Sequence, residues 1–136
     1  MRLILNNEQN YLNLLNEILT TGSDRQDRTG IGTKSLFGKS LRFSLENNTL
    51  PLLTTKKMYT KGIIEELLFF IRGETNSKKL EEKNVNIWKG NTSKEFLSKR
   101  GLDYPEGEMG KMYGYQWRKF GEDESSKGVD QLKNAL

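Results

Sequence analysis

The sequence contains neither cysteine nor histidine. Within these residues, that absence excludes disulfide bonds, thiol nucleophiles, zinc sites built from cysteine and histidine, and catalytic triads with a histidine base. No apolar run approaches the roughly 20 residues of a membrane-spanning helix, and the first residues lack the apolar core of a signal peptide. These absences predict a cytoplasmic protein without a membrane partner.

The charge balance is mildly basic. Against 18 acidic residues stand 22 lysines and arginines, which gives a net charge of +4. This charge is compatible with a small phosphate-bearing ligand and gives no reason to expect a specific nucleic-acid partner. A length of 136 residues predicts one domain with a modest core.

The longest apolar stretch runs from Ile63 to Ile71, where seven of nine residues are apolar. Gly73 follows as a plausible helix C-cap, so we expect a buried helix here. At roughly 100° per residue, one face of that helix forms a continuous apolar arc. The arc consists of Phe70, Ile63, Leu67, Ile71, Ile64 and Leu68.

Two glutamates interrupt this stretch, and the helical wheel separates them. Glu65 falls toward the polar edge beside Phe69, whereas Glu66 falls between Phe69 and Phe70. A carboxyl group held among aromatic rings loses hydration, which suits it to proton transfer near neutral pH. The alternative is that Glu66 reaches the helix edge and meets a lysine.

Residues 24–35 combine arginines with a glycine-rich turn. Backbone N–H groups and a guanidinium could converge there on a phosphate, although a plain charged loop remains open. Lys34 and Ser35 resemble the end of a P-loop. However, Thr33 precedes the lysine where that motif requires glycine, and Arg28 would occupy the first glycine position, so we reject the P-loop.

The remaining segments show ordinary periodicities. We expect a first helix capped by Asn6 or Asn7 and ended by Gly22. Alternation of Leu41, Phe43 and Leu45 predicts a half-buried strand, with Leu36 and Phe37 at its start or in its partner. Three further features are predicted: a short helix that closes near Asn84, a strand over Val85–Ile87, and a helix from Ser93 to Lys99. A last amphipathic helix would open at Val129.

Six short motifs together resemble thymidylate synthase, in the order and close to the spacing of that family. They are residues 27–33 (Asp-Arg-Thr-Gly-Ile-Gly-Thr), 52–57 (Leu-Leu-Thr-Thr-Lys-Lys), 64–70 (Ile-Glu-Glu-Leu-Leu-Phe-Phe), 87–88 (Ile-Trp), 113–118 (Tyr-Gly-Tyr-Gln-Trp-Arg) and 129–132 (Val-Asp-Gln-Leu). The resemblance implies an α+β fold, a twisted sheet flanked by helices, and a dimer that forms sheet against sheet. Residues 1–136 would be the N-terminal portion of one such domain, truncated within a helix and therefore incomplete.

The resemblance also implies the reductive methylation of dUMP to dTMP, with 5,10-methylenetetrahydrofolate as carbon and hydride donor and no metal. Arg28 resembles the loop arginine that grips the dUMP phosphate. Glu66 resembles the glutamate that organises water and protons, and Tyr113 a tyrosine of the proton-abstraction network. Ile87 and Trp88 resemble the wall against which the folate ring packs. Two further folate residues are implied, namely Asn91 in the folate site and Lys56 facing the glutamate tail.

Three differences from the family pattern bear on function. Lys89 follows the motif tryptophan where the family usually has aspartate, and Lys111 stands where it usually has proline. The third is the missing cysteine, which lies in the second half of family members and whose thiolate attacks C6 of the pyrimidine. We therefore expect no methyl transfer by this chain alone. A pyrimidine nucleotide hydroxymethylase of the same fold and a non-catalytic nucleotide-binding half-protein are the alternatives.

Overall fold

The computed structural model describes residues 7–27 and 30–136, and the chain divides into two compact units, Met1–Met58 and Tyr59–Leu136. The first unit contains helix α1 (Asn7–Thr21), strand β1 (Ser23–Arg25), strand β2 (Thr33–Ser35) and a 3-10 helix (Glu46–Asn48). The second contains helices α2 (Thr60–Ile71), α3 (Lys78–Glu81), α4 (Lys94–Lys99), α5 (Tyr113–Lys119) and α6 (Gln131–Ala135), with a 3-10 helix (Gly90–Thr92) between α3 and α4. Helices with a small sheet are consistent with an α+β class.

Helix α1 has the predicted bounds. It begins at Asn7, and the N–H of Gly22 donates to the carbonyl of Ile18 at 2.9 Å where it ends. The other predicted cap, Asn6, lies outside the described residues. Strands β1 and β2 then pair antiparallel, with Ser23 opposite Ser35 and Arg25 opposite Thr33.

The strand predicted around Leu41, Phe43 and Leu45 is wrong. The described part of the chain has no strand from Leu36 to Leu45; the sheet is formed by β1 and β2. Alternation records which side chains share a face, but a strand exists only where a neighbouring backbone supplies hydrogen bonds. The strand predicted over Val85–Ile87 is wrong for the same reason, since this segment forms irregular structure and a turn.

The core of the second unit forms around Phe69. Its side chain is completely buried, and it clusters with Leu80, Val85 and Met109. Helix α2 contacts α5 and α3 in this unit. The would-be Cβ of Gly114 lies 2.6 Å from the Phe70 Cα, so α2 and α5 approach backbone to backbone.

Helix α2 is less buried than its composition predicts. Ile63, Ile64, Leu67 and Leu68 keep 40–52% of their surface exposed, and we call these four residues the exposed arc. The buried side is instead the one that carries Phe69, which the wheel placed toward the polar edge. An apolar arc shows which surface needs cover, but the cover must come from other elements. Contacts with α3 and α5 bury Phe69 and partly bury Phe70, and they leave the exposed arc uncovered.

Helices α2 and α4 end as the sequence predicts. Gly73 has φ of 68°, and Glu74 N donates to the Phe69 carbonyl while Gly73 N donates to that of Phe70. This is a Schellman motif. Gly101 closes α4 with the same pair of bonds, and Ser93 caps its start by accepting from the N–H of Phe96.

Two other helices differ slightly from expectation. Helix α3 ends at Glu81, earlier than the predicted helix, and the turn that follows closes at the predicted residue, Asn84, which has φ of 60°. The last helix was expected to open at Val129, but Val129 pairs with Phe120 in an isolated bridge and α6 begins at Gln131. Over residues 7–27 and 30–136, no helix combines the length and apolarity that a membrane crossing requires.

Candidate active site

The centre of the candidate site is a hydrogen bond between Glu66 and Trp88. Helix α2 carries Glu66, and the turn before the second 3-10 helix carries Trp88. The indole Nε1–H donates to Glu66 Oε1 at 2.7 Å, and both side chains are half-buried. A charge-assisted bond of this length fixes both groups.

The neighbouring Glu65 has a different partner. Lys83 donates to its Oε2 at 2.5 Å. The two glutamates therefore differ in their partners, and a functional difference between them stays a prediction. The lysine contact that was the alternative for Glu66 belongs to Glu65 instead.

The Phe70 ring joins the aromatic side chains of the site. Its centroid lies 6.5 Å from Trp88, 5.6 Å from Tyr113 and 5.9 Å from Trp117, in each case edge to face. Edge-to-face pairs at these distances are favourable. Tyr113 is brought near Trp88 through this shared ring, yet its side chain remains 57% exposed. Residues 113–118 thus lie in helix α5, which packs against one side of α2.

The two remaining site candidates of this unit flank Trp88. Ile87 precedes it with its side chain about half exposed. Asn91 is exposed, and its backbone N–H donates to the Trp88 carbonyl at 3.0 Å. Glu66, Trp88, Tyr113, Ile87 and Asn91 thus all belong to the second unit, and the first three are linked by direct contacts or through Phe70.

The loop between β1 and β2 borders a cleft in the first unit. Its volume is about 690 Å³. Arg28, predicted to bind phosphate, lies outside the described residues. Lys34 on the cleft wall pairs with Asp24 at 3.0 Å. The lining residues are Asp24, Arg25, Gln26, Gly30, Ile31, Gly32, Thr33 and Lys34.

Lys56, the predicted folate-tail residue, is exposed in the same unit. The segment that leads to it is held by Glu8, whose carboxylate accepts from the Thr54 hydroxyl and from the N–H groups of Thr54 and Thr55 at 2.5–2.6 Å. These bonds, the Thr54 hydroxyl first, hold the pKa of Glu8 below its ordinary value. Lys56 and Glu66 belong to different units.

The sequence profile of thymidylate synthase matches residues 9–136 of the chain. The chain belongs to the thymidylate synthase family.

Several relatives agree with this assignment. The chain is similar to thymidylate synthase 1/2 of Encephalitozoon cuniculi, with 53% identity over 95% of the chain and 46% of that protein. It is 52% identical to a thymidylate synthase of Candida albicans over 95% of the chain and 44% of that protein. With the bifunctional dihydrofolate reductase-thymidylate synthase of Leishmania major it shares 50% identity over 93% of the chain and 26% of that protein. The chain therefore spans less than half the length of these relatives.

The two lysines that differ from the thymidylate synthase pattern both have partners within the chain. Lys89 pairs with Glu81 at 3.5 Å. Lys111 donates to the carbonyl oxygen of Glu122 at 2.6 Å and lies 5.3 Å from the centroid of the Tyr115 ring. A hydrogen bond between Tyr115 and Glu122 raises the pKa of the tyrosine and helps to lower that of the glutamate. Neither lysine provides specific support for the hydroxymethylase alternative.

Sequence analysis missed two residues beside the site, Ser77 and Thr92. They are the buried polar side chains of the described ranges. Each stands in a short polar segment whose pattern resembles an ordinary cap or turn, so no local signal identified them. In the same ranges, no group of three or more acidic residues is placed to hold a metal ion.

Proposed function

We propose that residues 1–136 form the N-terminal portion of a single thymidylate synthase domain, and that the complete protein converts dUMP to dTMP. The observation that carries this proposal is the Glu66–Trp88 hydrogen bond, in a chain that matches the family over residues 9–136. In this proposal 5,10-methylenetetrahydrofolate supplies the carbon and the hydride when it is bound.

Glu66 is suited to the proton-handling role. Trp88 anchors its Oε1, whereas within the described residues Oε2 accepts no hydrogen bond from the protein. A carboxylate with one fixed oxygen and one available oxygen can orient a water molecule and hold a proton at a defined position. We propose that Tyr113, held against Phe70 with its side chain largely exposed, contributes to the same network.

The surface beside Glu66 fits a folate ring. Ile87 offers an exposed apolar side chain next to the half-buried indole of Trp88. Flat heteroaromatic rings bind to surfaces of this kind, where a few polar groups fix their orientation. We propose Asn91 as one of these polar groups and Lys56 as the cation that faces the glutamate tail.

The dUMP phosphate would bind at the loop between β1 and β2. The cleft there, lined by Arg25 and two glycines, supports a phosphate site at this loop, and the family resemblance assigns Arg28 as its ligand. A dUMP titration of a complete enzyme should show at least tenfold weaker binding for Arg28→Ala, because the loss of a charge-assisted bond costs about 1.5–3 kcal/mol. Arg42→Ala removes an exposed arginine of the same unit and should leave binding unchanged.

Covalent chemistry must come from outside these residues, because the chain has no cysteine. Purified residues 1–136, mixed with dUMP and methylenetetrahydrofolate, should form no dihydrofolate. A fusion of residues 1–136 to the remaining part of the Encephalitozoon protein should form it. Turnover by 1–136 alone would overturn the assignment of a half-domain, and an inactive but folded fusion would count against the proposed function.

We further propose a cytoplasmic homodimer with a twisted sheet for the complete protein.

A further inference from the structure

Two buried hydroxyl groups lie next to the backbone of Trp88. Ser77, before α3, is 1% exposed, and Thr92, in the 3-10 helix, is 4% exposed. Their oxygens are 2.8 Å apart. Buried polar groups persist where their hydrogen bonds are satisfied, so the partners of both hydroxyls define what the pair does.

The direction of these bonds follows from the number of protons. The Thr92 hydroxyl donates to the backbone carbonyl of Trp88 at 3.0 Å. A hydroxyl has one proton to donate, so the proton between the two side chains belongs to Ser77. The result is a directed chain of bonds, from Ser77 to Thr92 and from Thr92 to the Trp88 carbonyl.

Both ends of this chain are anchored. The N–H of Ser77 donates to the Gly107 carbonyl at 2.7 Å, and the N–H of Gly107 donates to the Thr92 carbonyl at 2.9 Å. The Trp88 carbonyl also accepts from the N–H groups of Asn91 and Thr92, at 3.0 and 3.1 Å. Beyond the carbonyl, the indole of the same residue donates to Glu66.

We propose that Ser77 and Thr92 are positioning residues, which orient the Trp88 indole so that it fixes the Glu66 carboxylate. The hydroxyl pair fixes the backbone of Trp88, and the fixed backbone restricts the directions in which the indole N–H can point. The importance of the Glu66–Trp88 contact for turnover rests on the proposed function. The positioning of the Trp88 indole by Ser77 and Thr92 rests on the hydrogen bonds alone.

Hydrogen exchange of the indole N–H tests the positioning in the chain itself. Two tryptophans give two indole signals, and Trp117→Phe identifies that of Trp88. Thr92→Val keeps the shape and removes the hydroxyl, so exchange at Trp88 should accelerate about tenfold, the effect of losing roughly one hydrogen bond. Exchange at Trp117 should not change. Thr92→Ser restores the hydroxyl and should restore the slow rate.

Two further variants separate positioning from general loosening. Leu97→Ala removes a buried side chain of α4 and lowers stability without touching the hydroxyl chain. It should accelerate exchange at both indoles alike. Ser77→Ala leaves the Thr92 bond to Trp88 but removes its anchor, so acceleration at Trp88 of about threefold is expected; it also serves if Thr92→Val fails to fold. An unchanged Trp88 rate in the folded hydroxyl variants, or no rescue by Thr92→Ser, would overturn the proposal.

Turnover of the fusion enzyme links the pair to function. Thr92→Val should lower kcat several-fold with an unchanged KM for dUMP, because the misplaced carboxylate affects the reaction more than binding. Faster indole exchange with unchanged kcat would support the positioning and overturn the role assigned to Glu66. An inactive wild-type fusion would count against the proposed function, while the exchange experiment in the chain would still decide the positioning.

Discussion

At the scale of single residues, the adjacent Glu65 and Glu66 have different partners because their side chains leave the helix about 100° apart. Glu65 meets Lys83 at the surface, and Glu66 meets the Trp88 indole. The surface ion pair between Lys83 and Glu65 contributes little to the free energy of unfolding. Within the part of the chain that the structure describes, the indole contact leaves the second carboxylate oxygen of Glu66 without a hydrogen bond from the protein.

This difference predicts unequal effects of two isosteric substitutions. In the fusion enzyme, Glu66→Gln should lower kcat about 100-fold, the lower end of what general acid–base groups contribute, since an amide cannot exchange a proton. Glu65→Gln should stay within about threefold of wild type. Steady-state kinetics measure both, and equal effects would refute the assignment.

Glu74, just after α2, links stability to pH. Burial works to raise its pKa, but the hydrogen bond and charge of Arg72 at 2.7 Å and the ion pair with Lys79 at 3.4 Å outweigh it, so the pKa lies below the ordinary value of 4.5. A lowered pKa means that the stabilisation is complete above pH 4.5 and is lost as the pH falls through the folded-state value.

We therefore expect the urea midpoint of the wild-type chain to fall more steeply below pH 4.5 than that of Glu74→Gln. Above that pH, the wild type should be the more stable of the two. Glu82→Gln, at an exposed position, should follow the wild-type curve. Parallel curves for wild type and Glu74→Gln would show that the ion pairs contribute no pH-dependent stability.

At the scale of elements, the contact between α2 and α5 depends on one missing side chain. A Cβ at Gly114 would lie 2.6 Å from the Cα and the carbonyl oxygen of Phe70, which are backbone atoms that cannot turn aside. Alanine is favoured over glycine by about 1 kcal/mol in a helix. The clash of the added Cβ lowers the stability of the folded chain, and we expect this loss to exceed the gain in helix propensity.

Gly114→Ala is expected to destabilise the chain by about 1–3 kcal/mol, as overpacked sites do. Gly90 provides the matched control, because nothing lies within 4 Å of a Cβ placed there. Gly90→Ala should change stability by less than about 0.5 kcal/mol. Chemical denaturation of both variants checks this, and an unchanged Gly114→Ala midpoint would show that the helices can separate at no cost.

The elements also show what sequence can and cannot predict. Helix ends at Gly22, Gly73 and Gly101 follow from local chemistry, because a capping glycine needs only its own turn. Strands near Leu41 and Val85 were predicted wrongly, because pairing depends on distant backbone. For the site, the helical wheel separated Glu66 from Glu65. The contact of Glu66 with Trp88 joins residues 22 positions apart, and it could not be predicted because it depends on tertiary packing.

At the scale of the whole molecule, the exposed arc of α2 is a liability of the isolated chain. Its four side chains are aliphatic and lie within two turns of one helix. Contiguous apolar surface of this kind promotes association between protein molecules.

Isolated 1–136 should therefore associate in a concentration-dependent manner. Ile64→Lys, in the exposed arc, should weaken that association about tenfold, which corresponds to the burial of one aliphatic side chain. Ile31→Lys changes an apolar residue that is 89% exposed in the first unit and controls for the added charge. Sedimentation velocity measures both variants, and equal weakening by the two would assign the effect to net charge.

The Phe70 ring, which touches Trp88, Tyr113 and Trp117 at once, affects how this region can change over generations. Residues that share one neighbour do not contribute independently, so the cost of a substitution at one depends on what occupies the others. Double-mutant cycles between Trp88 and Trp117 should show coupling that Phe70→Leu diminishes. The order of substitutions would then matter, because a smaller residue at position 70 changes which replacements its three neighbours can later accept.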